Sequence, residues 1–124
     1  MTDLEYLKYH RQRVEEMALL KRQIEYLEDR ADDDHRLMPH LKDLQAQLAE
    51  DEKQLQRDKV RFQFLLSLAP AGRRRLVIQQ YYGWGMKDEA VAECLGLSCR
   101  SVNHSRNAYL TMLKHRESTS GQCV

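Results

Sequence analysis

The sequence predicts an all-α protein, in which an N-terminal helical hairpin with a coiled-coil pattern is followed by a helix-turn-helix domain. Two long stretches, residues 17–31 and 41–65, carry apolar side chains at intervals of three and four, which is the spacing of one helix face. Near the C-terminus, Gly96 separates two shorter stretches with the same spacing. We place the hairpin at 1–65, the helix-turn-helix domain at 66–116 and a flexible polar tail at 117–124.

The composition limits the classes of protein to consider. The chain has 124 residues, of which 31% are charged and 42% apolar, as in a soluble protein with a small core and much exposed surface. No apolar run approaches the roughly 18 residues that cross a bilayer, and the N-terminus lacks the pattern of a signal peptide. We therefore expect a cytoplasmic protein with no membrane partner.

The charges are distributed unevenly along the chain. Residues 1–60 contain 11 Lys and Arg against 15 Asp and Glu, a balance of −4, whereas residues 61–124 contain 9 against 4, a balance of +5. The two values add to the net charge of +1. A basic second half is typical of a segment that binds a polyanion.

The hairpin is expected to begin with a helix over residues 3–30, which contain no Pro or Gly. The segment Asp32–His40 interrupts the pattern, because it has three adjacent carboxylates and then Pro39, which disfavours helix at the residue before it. The apolar seam resumes at 41, although Asp51 and Asp58 occupy two of its positions. Two such helices pack most simply as an antiparallel hairpin. Alternatively, the turn straightens and the helices pair between chains.

Some apolar residues of the first helix lie off its main seam. Leu7, Val14 and Leu19 are three of them, and they would leave apolar surface for a second partner. The pattern therefore favours a homo-oligomer, most simply a dimer.

Two short helices are expected after the hairpin. We expect Pro70 to open the first, because Pro is tolerated at a first helical position, and the sequence Gly-Trp-Gly at 83–85 to end it. Its predicted inner residues are Leu76, Val77, Gln80 and Tyr81. The next helix is expected from Lys87 to Leu95. Its predicted inner residues are Ala90, Val91, Cys94 and Leu95. The burial of Tyr82 and Trp84 stays open at this point.

The sequence Gly-Leu-Ser at 96–98 has the properties of a tight turn between two helices. Gly96 suits a left-handed helix cap, because it has no β-carbon to clash. Ser98 can accept a hydrogen bond from the first amides of the following helix, and Leu97 can enter the core between the helices. A short helix, a three-residue turn and a second helix make a helix-turn-helix.

The helix after the turn has two distinct faces at 100° per residue. The inner face comprises Val102, Arg106, Tyr109 and Leu113, with the stem of Arg106 along its edge. The outer face comprises Arg100, His104, Asn107 and Thr111, flanked by Ser101 and Asn103. Arg can make two hydrogen bonds to guanine, and Asn two to adenine. No acidic residue occurs between Leu95 and Arg116. A polar outer face is also normal for a surface helix, but its combination with the turn, the cap and the basic half favours double-stranded DNA as partner.

The predicted DNA contacts fall into two groups. The base-contacting residues are Arg100, Ser101, Asn103, His104 and Asn107. The backbone-contacting residues are Arg73, Arg74, Arg75, Lys87, Ser98 and Thr111. Three arginines at a helix start oppose the helix dipole, and a nearby phosphate would relieve that repulsion.

The stretch "LAPAGRRRLVIQQYYGWGMKDEAVAECLGLSCRSVNHSRNAYLTML" resembles the fourth region of bacterial sigma factors, over about residues 66 to 116. The matching positions are Gly85, Val91, Ala92, Leu95, Gly96, Ser98, Val102, Leu110 and Leu113. Two departures are Ala90, where the family usually has Glu, and the pair Ala108–Tyr109, where Arg-Ala is common. The upstream half resembles no sigma segment that binds core polymerase.

A helical first half joined to such a domain is similar to phage regulators of the ArpU and RinA type. That resemblance implies a phage-encoded activator of late genes that acts in the cytoplasm of a bacterial host cell. It also implies Arg100, Ser101, Asn103 and His104 as major-groove readers and 73–75 as backbone binders. RNA polymerase is a further candidate partner.

Catalytic and metal chemistry find little support in the sequence. There is no Gly-rich phosphate loop, nucleophile elbow or HExxH motif, and the acidic cluster at 32–34 lacks the Gly and the late Glu of an EF-hand. Three cysteines without CxxC spacing suggest reduced thiols. We expect no enzyme activity, cofactor or metal. Two alternatives remain open: a small terminase-like DNA-packaging subunit, and a sigma mimic that binds RNA polymerase or a sigma factor.

Overall fold

A computed structural model describes the backbone of residues 2–122 and the side chains of residues 2–117. Over these residues the protein is all-α, as the sequence predicts. The helices are α1 (Asp3–Ala31), α2 (Met38–Ser67), α3 (Arg73–Ile78), α4 (Asp88–Leu95) and α5 (Cys99–Gln122). A 3-10 turn (His35–Leu37) joins α1 to α2, and a π-helical turn (Gln79–Gly83) continues α3.

The two long helices pack against each other as an antiparallel hairpin, so the simpler of the two predicted arrangements is confirmed within the chain. Thr2 and Glu5 cap the start of α1 reciprocally through their side chains and amides, which satisfies two otherwise unpaired donors. The predicted interruption at Asp32–His40 is too long, because α2 already begins at Met38. Pro39 lies in the first turn of α2, where no amide hydrogen is needed.

The base of the hairpin and the C-terminal helices share one hydrophobic core. Its buried residues come from α1, α2, α3, the π-helical turn and α5. They include Tyr6, Leu7, Phe62, Leu65, Ile78, Tyr82, Tyr109 and Leu113. Our expectation that Leu7 offers surface to a second chain is wrong, because its side chain is 0% exposed within this core. Leu19 is exposed, as expected.

The link between α2 and α3 differs from the expectation at Pro70. The chain turns at Ala71 and Gly72 before α3 begins at Arg73, so Pro70 does not open that helix. Gly72 has a φ of 104°, which a residue with a β-carbon rarely adopts. Arg75 fastens this link, since its guanidinium donates to the carbonyl oxygens of Ser67 and Ala69 at 2.8–3.2 Å. These carbonyls lie at the end of α2 and just after it, where helical partners are lacking.

The π-helical turn changes which residues after Arg75 face the core. A π turn adds a residue to the helical repeat, and the buried set is Val77, Ile78, Gln80 and Tyr82. The prediction was therefore wrong for Leu76, which is exposed, and only partly correct for Tyr81, which is half-buried against the main core. Tyr82 takes the buried place, at 2% exposure.

The inner face of α4 is also rotated relative to the prediction. Val91 and Ala92 are buried and Leu95 partly so, whereas Ala90 and Cys94 are exposed. At the C-terminus, the backbone of α5 runs to Gln122, seven residues beyond the helix end predicted at 115. Residues 117–122 of the predicted flexible tail are therefore helical, and residues 123 and 124 lie outside the described residues. No helix in the described part of the chain has both the length and the apolarity to cross a membrane.

Candidate nucleic-acid interface

The turn between α4 and α5 has the predicted geometry. Gly96 caps α4 in the left-handed conformation, with φ 67° and ψ 34°, and the amide of Leu97 donates back to the carbonyl of Ala92 at 2.9 Å, as in a glycine-terminated helix. The Ser98 hydroxyl accepts from the amide of Ser101 at 3.1 Å, which makes it the N-cap of α5. Both predicted caps are confirmed.

A small apolar cluster beneath this turn fixes the two helices against each other. Val77, Val91, Ala92 and Val102 are buried in it, and Leu97 packs against them from the turn. Because α3, α4 and α5 all contribute, the cluster holds the three helices as one unit. The orientation of α5 is therefore set by β-branched side chains, which have few rotamers to choose from.

The inner and outer faces of α5 agree with the predicted angles. Val102, Tyr109 and Leu113 are buried, and the Tyr109 hydroxyl donates to the carbonyl of Leu65 at 2.5 Å. Burial raises the pKa of Tyr109, so this hydroxyl stays protonated. The six predicted outer and flanking residues are all exposed; they are Arg100, Ser101, Asn103, His104, Asn107 and Thr111.

The outer face also contains Lys114, which we did not include among the candidates. Its side chain is exposed, and it lies seven positions after Asn107 and fourteen after Arg100. Seven residues are close to two full turns, so these three side chains form one row along α5. The same spacing could have identified Lys114 from the sequence.

Arg106 has a larger role than a stem along the core edge. Its guanidinium binds the Asp88 carboxylate of α4 through Nε at 3.1 Å and Nη2 at 2.8 Å. It also donates to Oδ1 of Asn103 at 2.7 Å and lies 4.0 Å from the ring centroid of Tyr81. Side chains from α4, the π-helical turn and α5 thus meet at one guanidinium. No spacing pattern in the sequence signals this group, because Tyr81 and Asp88 lie far from Arg106 along the chain.

The carboxamide of Asn103 is held at both ends. Its nitrogen donates to the carbonyl of Cys99 at 3.1 Å, and its oxygen accepts from Arg106. A carbonyl can only accept and a guanidinium can only donate, so the orientation of the amide is determined by its partners. Its second N–H and its second lone pair remain available for a base, whereas Arg100 and Asn107 form no side-chain hydrogen bond with any other described residue.

Arg11 of α1 joins this network through Tyr81. Its guanidinium lies 4.1 Å from the Tyr81 centroid and donates to the carbonyls of Tyr81 and Met86 at 3.0 and 3.1 Å. It also pairs with Glu15 one turn along α1. Tyr81, predicted as a core residue, is thus partly buried and packs against the main core. It connects the hairpin to the group around Arg106.

The predicted backbone-contacting residues have different surroundings. Arg73, Arg74, Lys87 and Thr111 are exposed, and Arg74 lines a cavity of about 230 Å³ against Ser105 and Ala108 on the flank of α5. By contrast, the Arg75 guanidinium is engaged at the end of α2, and the Ser98 hydroxyl is engaged as a helix cap. Only the first four have side chains free to approach a phosphate.

The exposure of Trp84 and the question of a metal site concern other parts of the surface. Trp84, whose burial the sequence left open, is 56% exposed and lies away from the outer face of α5. Among the described residues, no group of three or more His, Cys, Asp or Glu side chains is arranged to hold a metal ion.

Comparisons with known proteins add no assignment to this geometry. The chain matches no protein-family model, and no curated protein or solved structure matches it significantly.

Proposed function

We propose that this protein binds duplex DNA sequence-specifically and regulates transcription, with α5 in the major groove. One observation carries the proposal: the second helix of a capped helix-turn-helix exposes Arg100, His104 and Asn107 on one face, and no carboxylate occurs from 95 to 116. An α-helix fits the major groove of B-DNA, where each base pair presents a distinct set of donors and acceptors.

The proposal divides the side chains by task. Arg100, His104 and Asn107 read bases, with Ser101 beside them at the start of α5. Asn103 is held by Arg106, and we assign it to the alignment of this face and to base contact through the second N–H and lone pair of its amide. Sequence information comes from these contacts, whereas phosphate contacts fix the position of the protein on the duplex.

The phosphate contacts come from cations on either side of the readers. Arg73 and Arg74 flank α5 through α3, Lys87 precedes α4, and Lys114 extends the outer row. We leave Arg75 and Ser98 out of this set, because their side chains already have protein partners. Binding through such cations weakens as salt is raised, since each contact releases a counterion.

The assignment to transcription depends on the resemblance to the fourth region of sigma factors. We extend it to a phage-encoded activator that works in the bacterial cytoplasm as a homodimer, without enzymatic activity. A dimer requires two half-sites separated by one helical turn of DNA, roughly 10 bp, or a multiple of it. RNA polymerase is the second partner that this resemblance implies.

Selection from random duplex DNA tests the proposal. The full chain is compared with a variant of the outer face, Arg100→Ala/Asn103→Ala/His104→Ala, and with a control on exposed hairpin residues, Lys53→Ala/Arg57→Ala. We expect the wild type and the control to enrich the same motif and the outer-face variant to enrich none. Enrichment of one motif by all three proteins would contradict the proposal. No enrichment by the wild type would favour a protein-binding sigma mimic.

A further inference from the structure

A second site is suggested by a cleft at the junction of α1, α2 and the π-helical turn. Its volume is about 490 Å³, which lies within the range of small-molecule sites. His10 and Lys21 of α1, Lys59 and Phe62 of α2, and Trp84 after the π-helical turn contribute to its lining. None of these residues belongs to the proposed DNA-binding face.

His10 provides a hydrogen-bond acceptor in this cleft. Its side chain is only 7% exposed, and its Nδ1 lies 3.1 Å from the carbonyl of Tyr82. Because a carbonyl can only accept, Nδ1 carries the hydrogen and Nε2 is left with a lone pair. Burial lowers the pKa of His10, so the ring is neutral near pH 7. Among the described residues Nε2 has no hydrogen-bond partner.

The charged residues of the cleft favour an anion. Lys21 and Lys59 line it, and neither forms an ion pair with any described residue. Glu52 also lines the cleft, so its lining contains two cations and one carboxylate. The balance matches a ligand with a single negative charge.

The aromatic residues of the cleft favour a planar ring. The rings of His10 and Phe62 are stacked, with centroids 4.4 Å apart and planes 6° apart. Trp84 also lines the cleft and is 56% exposed, so its ring is accessible to a ligand. A flat ligand can lie against such rings with favourable offset or edge contacts.

From these three features we infer that the cleft binds a small planar aromatic monoanion that carries one hydrogen-bond donor. The donor meets Nε2 of His10, the anionic group meets Lys21 or Lys59, and the ring packs against Trp84. This site goes beyond the proposed DNA binding, and its test does not depend on whether the protein binds DNA.

The probe for this site is 4-hydroxybenzoate, which combines one ring, one phenolic donor and one carboxylate. Trp84 is the only tryptophan of the chain, so its indole N–H gives a single signal in the nitrogen–proton NMR spectrum of the ¹⁵N-labelled full chain. We expect 4-hydroxybenzoate to shift this signal in a saturable manner, with a Kd of about 1 mM or tighter. The neutral 4-hydroxybenzamide and the donor-free 4-methoxybenzoate should each bind at least tenfold more weakly.

Two charge variants keep the test independent of folding. Lys21→Gln/Lys59→Gln removes the cations of the cleft, whereas Lys42→Gln/Lys53→Gln removes two exposed lysines elsewhere on α2. We expect the first pair to weaken 4-hydroxybenzoate binding at least tenfold and the second to leave it unchanged. Absence of a saturable shift, equal binding of the neutral amide, or equal effects of the two pairs would overturn the inference. A Trp84 signal that shifts with protein concentration instead would assign the cleft to contact between copies of the chain.

Discussion

Arg106 of α5 and Asp88 of α4 form a two-bond ion pair, with oxygen–nitrogen distances of 3.1 and 2.8 Å, that joins the two helices of the helix-turn-helix. The side chains are 14% and 23% exposed, so the pair is shielded from much of the solvent. The same guanidinium holds Asn103 on the outer side of α5. The geometry of the proposed reading face thus depends on a contact made behind it.

Breaking this pair should lower the stability of the fold. We expect Arg106→Ala to reduce the free energy of unfolding by about 2 kcal/mol, because it leaves the Asp88 carboxylate without its partner. Arg106→Lys should recover only part of the loss, since an ammonium lacks the planar fork. Urea unfolding measures both. The exposed Lys114→Ala serves as control, with an expected change within about 0.5 kcal/mol; an equally small change for Arg106→Ala would contradict this account.

Gly96 should resist substitution for a conformational reason rather than for lack of space. A β-carbon at this position would meet nothing within 4 Å, but φ is +67°, a value that costs residues with side chains about 1–2 kcal/mol. We therefore expect Gly96→Ala to destabilise the protein by about 1 kcal/mol and Gly96→Asn by less, because Asn tolerates the left-handed region. The midpoints of denaturant unfolding for the two variants compare these losses of stability. Equal losses would show that the left-handed conformation is not the cause.

His10 should make stability depend on pH in the acid range. Burial holds its folded-state pKa below the ordinary value of 6.5, so the unfolded chain binds a proton more readily than the folded protein. The contribution of neutral His10 is therefore complete above about pH 6.5 and is lost as the pH falls through its lowered pKa. Nearby Asp58 and Arg13 act in opposite directions on this pKa. We expect the difference in stability between pH 7.5 and pH 5, measured by urea unfolding, to be smaller in His10→Phe than in the wild type. An unchanged difference would exclude His10 as its source.

Substitutions of the neighbouring residues Arg74 and Arg75 should affect different properties. We expect Arg75→Ala to lower stability and Arg74→Ala to weaken DNA binding. Arg75→Ala removes the bonds to the end of α2, and we expect a loss of about 1–2 kcal/mol in unfolding free energy. Arg74→Ala should leave stability within about 0.5 kcal/mol. It should instead weaken binding to all DNA sequences and reduce the salt slope by about 1. Urea unfolding and DNA binding over a range of salt concentrations test both variants. A loss of stability in Arg74→Ala together with weaker DNA binding in Arg75→Ala alone would contradict the assignment.

The sequence predicted those parts of the fold that depend on local periodicity. The hairpin helices, the left-handed cap at Gly96, the Ser98 cap and the two faces of α5 each follow from neighbours within one or two turns. Such signals are complete in a short window of sequence. The same holds for the exposure of the candidate readers on α5.

The features of the fold and the site that we did not predict depend on residues far apart in the chain. Leu7 is buried because α1 reaches the C-terminal helices, and Arg106 pairs with a carboxylate eighteen positions earlier. The π-helical turn exchanges Tyr81 for Tyr82 in the core, and no local pattern signals a π turn. Tertiary packing decides such details, and a short window of sequence does not contain the residues involved.

Base discrimination by Arg100 tests the central claim most directly. Wild type, Arg100→Ala and Arg74→Ala are titrated against the selected DNA site and against each of its single-base variants at one fixed salt concentration. We predict that Arg100→Ala loses discrimination at one base pair, worth about 1–3 kcal/mol, and keeps it at the others, whereas Arg74→Ala weakens all sequences equally. Full discrimination at every base pair in Arg100→Ala would contradict the claim that the outer face of α5 reads the DNA.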